Sequence, residues 1–264
     1  MKQLNNYKAS ILIVNYNNEK YLDQCIQSAI RQTYKNIEVI VHDDDSNDNS
    51  LKKIKTYKKI KLIKNKKKTN YGSINQLNAY YRAFKKSSGD IIFFLDSDDY
   101  FSKDKVKKII EFYKKNPNIN SLYDLPIYKY GKFLKKKKKK TNFFYSHWPY
   151  IPNQSCLSIK RQKIKKILDE VKSGFFPDIW MDFRIGLYLK NILNDFTIIK
   201  ENLTYYRQTN QMASKKFSYL SENWWKRRRQ AHKYAQHLFK KNKMKYKRSF
   251  DYFITEIINK FYVK

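Results

Sequence analysis

The chain has few cysteines and no long apolar run, and both absences narrow what it can be. Its two cysteines, Cys25 and Cys156, lie in no CxxC or metal-ligand spacing, which argues against a thiolate metal site. We therefore expect a buried thiol at Cys25 and a reducing compartment. No window holds the roughly 20 mostly apolar residues that a membrane span requires, and residues 1–7 contain no apolar secretory segment. These features predict a cytoplasmic location.

Acidic residues are scarce as well. The chain has 23 Asp and Glu against 57 Lys and Arg, for a formal net charge of +34. Such a surface attracts nucleic acid, anionic lipid headgroups and phosphorylated small molecules alike, so the charge alone does not choose among them. Apolar material is plentiful, with 41% hydrophobic and 17% aromatic residues. This composition excludes a disordered polymer and predicts a folded protein.

The first half of the chain alternates short apolar runs with helical patterns. The predicted strands are 11–14, 37–41, 61–63 and 91–95, and the predicted helices are 19–33, 51–57 and 73–86. Strands that are apolar throughout and separated by helices indicate an α/β fold with a mostly parallel, Rossmann-type sheet flanked by helices. Ligands of such sheets bind beyond the carboxyl ends of the strands.

The second half of the chain is less regular. The lysine run 135–140 predicts an exposed loop, because like charges repel and stay solvated. The predicted elements are a strand at 151–159, helices at 163–172 and 182–190, a strand at 196–199, and helices at 218–241 and 246–261. We expect the last two helices to form a basic C-terminal pair that packs on the domain through apolar anchors. These anchors are Trp224, Trp225, Tyr234, Leu238, Phe250, Phe253, Ile254 and Ile257.

The scarce acids cluster where two predicted strands end. Residues 43–45 are all Asp and follow the second strand, and the segment 96–99, Asp-Ser-Asp-Asp, follows the fourth. A lone Asp at such a position is usually a helix N-cap. Three carboxylates within four positions repel one another unless a cation neutralises them, and Mg²⁺ and Mn²⁺ take such oxygen ligands together with substrate phosphates. The clusters therefore favour a shared site for metal and phosphate over simple caps.

Five segments resemble, in order and spacing, the family 2 glycosyltransferases with a GT-A fold. They are SILIVNYN (10–17), QTY (32–34), VHDDDSNDNS (41–50), NYG (70–72) and FLDSDD (94–99). The resemblance is dense over residues 9–115 and thin beyond about residue 210. It implies a GT-A domain at 1–210, with a nucleotide-binding half at about 8–115 and an acceptor half at about 116–210. A basic C-terminal helical extension follows at 211–264.

The resemblance also implies a donor and a nucleobase site. Members of the family transfer a sugar from a nucleotide-diphospho-sugar, usually with inversion at the anomeric carbon. By this likeness Asp44 hydrogen-bonds the nucleobase, and a carboxylate acceptor suits the N3 hydrogen of uracil, so a UDP-sugar is favoured. Asn15, Tyr16 and Asn17 line the same pocket.

The diphosphate side of the site follows from the same likeness. Asp96 is expected near the ribose, whereas Asp98, shared with Asp99, is expected to hold Mn²⁺ or Mg²⁺ against the diphosphate. Asn78 and Arg207 are the remaining predicted substrate contacts.

Three positions depart from the family pattern. Asp45 stands where Gly is expected, which makes that turn less permissive or adds an acid to the site. Gln76 stands where an Arg often precedes Asn78, so one phosphate partner is lost. In YYRQTN (205–210), Thr209 replaces a His that can complete metal or phosphate binding, with Arg207 as a substitute cation.

An inverting transfer also needs a base for the acceptor hydroxyl. The segment FFPDIWMDFRIGL (175–187) resembles the region where the family places an Asp at the start of a helix. This likeness assigns the base to Asp182, with Asp178 as the fallback and Met181 where an acid often precedes the base. The alternative is that Asp182 is only a first-turn acid favoured by the helix dipole.

The acceptor side is less determined. The segment HWPYIPNQS (147–155) occupies the region where family members contact acceptors. Trp148 either stacks on a sugar ring or packs in a loop, and His147 either contacts the acceptor or lies on the surface. The family setting implies a glycan or lipid-linked acceptor in cell-surface polysaccharide synthesis.

The excess of lysine and arginine has more than one interpretation. It is a compositional habit, or it marks peripheral binding to the inner face of the cytoplasmic membrane. In the second case the basic run 226–229 lies on anionic lipid with Trp224, Trp225 and Phe239. A nucleic-acid-binding protein is the alternative from a different class, but no recognition motif is present and the acids at strand ends repel phosphate backbones. A non-catalytic nucleotide-sugar-binding relative is a further alternative.

Overall fold

The computed structural model describes residues 6–65, 67–136, 150–208 and 216–262. The first half of the chain alternates strands and helices as predicted. Its elements are β1 (Ala9–Asn15), α1 (Glu19–Ile30), β2 (Ile37–Asp43), α2 (Ser50–Lys55), β3 (Lys61–Lys64), α3 (Gly72–Lys85) and β4 (Ile91–Asp96).

The second half contains more strand than predicted. Its elements are β5 (Tyr100–Phe101), α4 (Lys105–Lys115), β6 (Ser121–Tyr130), β7 (Phe133–Lys136), a 3₁₀ turn (Gln154–Cys156), β8 (Leu157–Lys160), α5 (Arg161–Val171), α6 (Met181–Asn191), β9 (Thr197–Arg207), α7 (Glu222–Lys241) and α8 (Phe250–Phe261). The strand predicted at 151–159 is only the four residues of β8, and the one predicted at 196–199 continues to Arg207. Strand β6 was not predicted. Residues 137–140 of the predicted lysine loop lie outside the described residues.

The nine described strands form one sheet in the order β3-β2-β1-β4-β8-β6-β9-β5, with β7 on β6. Strands β3, β2, β1 and β4 are parallel. Beyond β4 the directions are mixed: β8 is antiparallel to β4 and β6, whereas β9 is parallel to β6. The register of the β6–β9 pair shifts around Leu125 and Pro126, as a strand that contains a proline requires.

Helices cover both faces of the parallel half and bury two apolar layers. Leu12 of β1 packs in the layer with α3, α5, α6 and α7, whereas Ile11 and Ile13 pack in the layer with α1 and α4. Every residue from Ile91 to Leu95 is fully buried, which explains the continuous apolar run in β4. Cys25 is a buried free thiol, as predicted, and burial raises its pKa well above the usual value.

The C-terminal helices pack differently from the prediction. Trp225, Tyr234 and Leu238 of α7 are buried, but Phe250, Phe253 and Ile257 of α8 are exposed. These three residues are therefore not packing anchors. The expectation that Trp225 and Phe239 lie on lipid is also wrong, because both side chains are less than 10% exposed. No described helix is both long and apolar enough to cross a membrane.

Candidate active site

The carboxyl ends of three parallel strands bring the two acidic segments to one edge of the sheet. In the strand register, Asn15 at the end of β1 pairs with Asp43 at the end of β2. On the other side of β1, Val14 pairs with Asp96 at the end of β4. The acids that follow β2 and β4 therefore flank the same strand end.

The turn after β2 is fixed by its own first acid. Asp43 accepts hydrogen bonds from Asn15 Nδ2 at 2.8 Å and from the backbone and hydroxyl of Ser46 at 3.0 and 2.8 Å. Asp45 adopts the left-handed backbone conformation with φ of 62°, which is the conformation that a glycine adopts without strain. The departure from the family pattern therefore falls at a position where Asp is tolerated but strained.

The second acid of that turn, Asp44, has a different hydrogen-bond partner from Asp43. It is buried, and its Oδ1 accepts a hydrogen bond of 2.7 Å from Asn65 Nδ2. The buried Oδ1 of Asn15 has no hydrogen-bond partner among the described residues. An acceptor atom in this state is a candidate contact for a ligand donor.

Tyr16, Asn17 and Lys68 border the same edge. Tyr16 is 46% exposed, and Lys68 Nζ lies 4.3 Å from its ring centre and 3.1 Å from its hydroxyl. Asn17 binds the neighbouring turn through its backbone N–H to Ser46 Oγ at 3.0 Å and through Oδ1 to Asn47 N at 2.9 Å. Of the predicted nucleobase contacts, Tyr16 thus offers an exposed aromatic face beside a cation.

In the turn after β4, Asp96 is held by α3. Its Oδ1 accepts hydrogen bonds from Tyr80 OH at 2.8 Å and from Gln76 Nε2 at 3.0 Å. Burial, followed by the charge of Asp98, raises the pKa of Asp96 to about 7. Gln76, noted as a departure from the family pattern, therefore acts on the Asp96 carboxylate.

Asp99 is enclosed by protein donors on both carboxylate oxygens. Its Oδ1 accepts from Arg207 N at 3.0 Å, and its Oδ2 accepts from Ser155 Oγ at 2.6 Å and Asn153 Nδ2 at 3.1 Å. Burial is the first cause that raises its pKa well above the usual value, and the charge of Asp98 adds to it. Asp98 is half-buried, and burial raises its pKa against the opposing charge of Arg207.

A buried lysine stabilises the turn after β4 through Ser155. Lys105 Nζ lies 2.7 Å from Asp124 Oδ1 and donates to the carbonyl of Ser155 at 2.7 Å. Ser155 Oγ, in turn, bonds Asp99 and accepts from Asp96 N at 3.0 Å. Sequence reasoning missed this support, because Lys105 and Asp124 belong to α4 and β6 and no local pattern couples them.

Asp182 lies in the first turn of α6 and lines a cavity. Its Oδ1 accepts from Phe183 N at 2.7 Å. The cavity has a volume of about 320 Å³, and the side chains of Trp224, Arg227 and Arg228 also line it. Burial raises the pKa of Asp182, and the charge of Arg227 opposes that effect.

The charge of Asp182 acts on the turn after β4. The charge of Asp182 contributes to the raised pKa of Asp96. Asp182 and the turn after β4 both act on Tyr206 of β9. Burial is the main cause of its raised pKa, and the charges of Asp99 and Asp182 raise the pKa further. The fallback acid Asp178 is occupied elsewhere, since its Oδ2 accepts from Gln230 Nε2 at 3.2 Å.

A buried arginine shapes the segment that leads into α6. Arg184 donates to the carbonyls of Ile179 at 2.8 Å, Val171 at 2.8 Å and Phe176 at 2.7 Å. It is fully buried. Arg184 therefore fixes the loop between α5 and α6, and with it the first turn of α6, where Asp182 lies. Met181, the first residue of α6, packs in the core.

The structure places the other predicted contacts as follows. The Arg207 guanidinium lies between the rings of Tyr21 and Tyr100, at 4.9 and 4.8 Å, and bonds Asp98 O. The Arg207 guanidinium is thus engaged by groups of the protein itself. Asn78 is half-buried on α3. Thr209, His147 and Trp148 lie outside the described residues.

The chemistry of the turn fits a divalent cation. Within the described ranges no set of three His, Cys, Asp or Glu side chains is arranged to hold a metal. Mg²⁺ sites, however, often use one or two carboxylates and complete the shell with substrate phosphate and water. Half-buried Asp98 suits that pattern, because burial already raises its pKa and a cation would offset the cost of its charge.

Comparison with known proteins identifies relatives of the chain. Residues 10–176 match the family model described as glycosyl transferase family 2. An uncharacterized glycosyltransferase of Nostoc is 28% identical over 217 residues, which are 76% of this chain and 64% of the relative. The Escherichia coli protein WfgD, described as a UDP-Glc:alpha-D-GlcNAc-diphosphoundecaprenol beta-1,3-glucosyltransferase, is 37% identical over 120 residues, 46% of each chain.

A solved structure matches the fold. The crystal structure of Staphylococcus aureus TarS 1-349 in complex with UDP-GlcNAc superposes with a TM-score of 0.63 at 21% identity, covering 86% of this chain and 66% of that one. The expected GT-A fold is confirmed. The chain spans less than two thirds of the length of each of these three proteins.

Proposed function

The chain belongs to glycosyl transferase family 2, and from that membership we propose that it transfers a sugar from a nucleotide-diphospho-sugar to a lipid-linked glycan acceptor. The observation that carries the proposal is the shared sheet edge, where the acidic turns after β2 and β4 flank the end of β1. Asp182 lines a cavity, and its charge contributes to the raised pKa of Asp96 in the turn after β4.

On the donor side, the nucleobase is assigned to the turn after β2. Asp44 has a carboxylate oxygen engaged by Asn65 and a second oxygen that can accept the N3 hydrogen of uracil. Tyr16 offers its exposed ring to the base. A UDP-sugar is favoured, because the relative WfgD is a UDP-Glc-dependent glucosyltransferase by name and TarS was crystallised with UDP-GlcNAc.

The diphosphate is assigned to the turn after β4. Asp98 would hold Mn²⁺ or Mg²⁺, which when bound stabilises negative charge on the departing diphosphate. Asp99, whose two carboxylate oxygens already accept hydrogen bonds from the protein, would share this role as the second acid of the site. Asp96 takes the ribose, with its carboxylate oriented by Tyr80 and Gln76. Asn78 and Arg207 remain proposed substrate contacts on this side. Arg207 also positions Asp98 and Asp99, because it donates hydrogen bonds to both residues.

Asp182 is the proposed general base. The acceptor hydroxyl oxygen bonds to the anomeric carbon while the bond from that carbon to the diphosphate oxygen breaks, and the hydroxyl proton passes to the Asp182 carboxylate. The configuration at the anomeric carbon inverts. Burial raises the pKa of Asp182, which makes its carboxylate a better proton acceptor near neutral pH.

The cavity beside Asp182 is the proposed acceptor site. Arg228 and Arg229 pair with acids of α8, whereas Arg227 forms no ion pair with any described residue and faces this cavity. The Arg227 guanidinium, whose central carbon lies 4.7 Å from the centre of the Phe217 ring, stands beside the base and suits an acceptor that carries a phosphate. The acceptor in the description of WfgD, a GlcNAc-diphosphoundecaprenol, has that chemistry. Such an acceptor would place the reaction at the inner face of the cytoplasmic membrane, in surface polysaccharide synthesis.

A transfer assay with matched variants tests the assignment of the base. The assay uses a UDP-sugar donor and a polyprenyl-diphosphate-linked GlcNAc acceptor. Asp182→Asn is expected to lower kcat by roughly 10²–10⁴ because the hydroxyl loses its base, while UDP binding persists. Asp178→Asn is the control and should stay within a few-fold of wild type. Normal turnover by Asp182→Asn would overturn the assignment.

The acceptor site has its own matched pair. Arg227→Gln should raise KM for the diphosphate acceptor by about tenfold, the size of one charged hydrogen bond. Arg229→Gln, two positions along the same helix but paired with Glu256 outside the cavity, should leave KM unchanged. An equal effect of both variants would contradict the acceptor site.

A further inference from the structure

Helix α8 is attached to the protein by its polar side. Asp251 accepts from Arg228 Nε at 2.8 Å and lies 2.9 Å from His232 Nε2. Further along α8, Glu256 pairs with Arg229 of α7 at 3.1 Å. Both acids of the helix therefore face α7.

The next turn of α8 continues the same polar contact. Asn259 Nδ2 donates to the carbonyl of Trp225 at 3.1 Å, and Thr255 is fully buried beside it. An amphipathic helix on a water-soluble domain ordinarily buries its apolar side instead. In α8 the usual orientation is reversed.

The apolar side of α8 faces outward as a stripe. We define the α8 stripe as Phe250, Phe253, Ile257 and Phe261, which follow one another at steps of three, four and four residues and so lie on one face of the helix. Their side chains are 79%, 50%, 58% and 77% exposed. A contiguous patch of large apolar residues on a surface marks an interaction site.

The charge around the stripe indicates the kind of partner. Residues 223–262 contain twelve Lys and Arg and only two acids, Asp251 and Glu256, and both acids are turned toward α7. A second copy of the chain docking through the same side would bring two such basic segments together, which like-charge repulsion opposes. An anionic lipid surface offers both kinds of contact: its acyl chains can bury the apolar stripe, and its headgroups can attract the surrounding basic residues.

We propose that α8 is a docking helix that lies in the plane of an anionic lipid surface. The α8 stripe enters the boundary between headgroups and acyl chains, and the lysines and arginine of segment 240–248 contact the headgroups. The orientation of α8 and the basic charge around it support this docking, which does not depend on the transferase activity.

Vesicle flotation of the full chain tests this surface. Wild type is expected to float with vesicles that contain 30% phosphatidylglycerol, and a substantial fraction should stay bound in 0.5 M NaCl because insertion of apolar groups is not screened by salt. The double variant Phe253→Ser/Ile257→Ser should reduce the partition coefficient at least tenfold. Its melting temperature should match wild type, since both side chains are exposed.

The matched control removes an exposed apolar pair from another lysine-rich segment. Phe133→Ser/Leu134→Ser in β7 deletes side chains that are 80% and 56% exposed and should bind vesicles like wild type. No loss in either double variant would overturn the proposal, because binding would then be adsorption by charge alone. Equal loss in both would overturn it as well, because the binding would then not be specific to α8. A concentration-dependent dimer that the α8 variant abolishes, without vesicle binding by wild type, would also overturn it.

A depth measurement adds an independent readout. Phe253→Trp places a tryptophan on the stripe, and its fluorescence should be quenched by lipids brominated near the headgroup end of the acyl chain. Phe133→Trp should show no quenching above that of wild type. Quenching confined to Phe133→Trp would contradict docking through α8.

Discussion

Replacing Lys105 with Met removes one half of an ion pair that lies wholly inside the protein. Lys105 Nζ is 2.7 Å from Asp124 Oδ1, and neither side chain has exposed area. The ammonium group also donates to Ser155 O at 2.7 Å and Thr204 Oγ1 at 2.6 Å. Met fills a similar volume but donates no hydrogen bond, so the variant leaves Asp124 buried without its cation.

Breaking a buried pair in this way costs about 3–5 kcal/mol of unfolding free energy. That is a large share of the ~5–15 kcal/mol that stabilises a typical domain, and at about 2–4 °C per kcal/mol it lowers Tm by roughly 6–20 °C. The double variant Lys105→Met/Asp124→Asn no longer strands a charge. We expect it to be more stable than the sum of the single variants by at least about 1 kcal/mol.

Chemical denaturation with a control on the same helix measures this effect. Lys108, three residues further along α4, pairs with Glu201 on the surface, where the two side chains are 44% and 47% exposed. Lys108→Met should therefore change stability by no more than about 1 kcal/mol. The reasoning is refuted if Lys105→Met costs no more than Lys108→Met, or if the double variant shows no coupling.

Three further predictions concern the two acidic turns. The pKa of Asp96 is about 7 in the folded chain against 3.8 normally, so the folded state holds an extra proton between these values and this residue lowers stability as pH rises from about 4 to about 7. The stability of Asp96→Asn relative to wild type should therefore increase across that window by at most about 4 kcal/mol, and its Tm should rise relative to that of wild type. Parallel profiles of Tm against pH for the two proteins would contradict this. Asp45→Val should cost about 1–2 kcal/mol in denaturant titration, because a β-branched residue is strained at φ of 62°, whereas Asp45→Gly should not destabilise. Ser155→Ala, which removes the 2.6 Å bond to Asp99, should cost about 1–3 kcal/mol, and a cost below about 0.5 kcal/mol would show that the bond is dispensable.

The parallel half of the fold was predictable because its signals are local. The run from Ile91 to Leu95 is apolar throughout since β4 is covered on both faces. Once the strands are parallel, their carboxyl ends must share an edge, and this brings the acids after β2 and β4 together. The order of motifs then pointed to the family that the comparison confirmed.

The unpredicted parts depend on contacts between distant residues. Strand β6 contains Asp124, which weakens an apolar strand pattern, and its partner Lys105 lies in α4. On α3, the fully buried Tyr80 donates a hydrogen bond to Asp96, a contact that the helical pattern of residues 73–86 does not reveal. The apolar residues of α8 predicted a helix, but periodicity does not tell which side meets the protein, and the acids paired with α7 decide that.

The most direct test of the central claim is the binding of UDP in the presence of Mn²⁺, followed by thermal shift. At 100 times Kd, ligand binding stabilises a protein by about 2.7 kcal/mol, which corresponds to a rise of roughly 5–10 °C in Tm. We expect that rise for wild type and for Asp182→Asn, and a much smaller one for Asp44→Asn and Asp98→Asn. An unchanged Tm with UDP and with every other nucleoside diphosphate, or an undiminished rise in Asp98→Asn, would contradict the account.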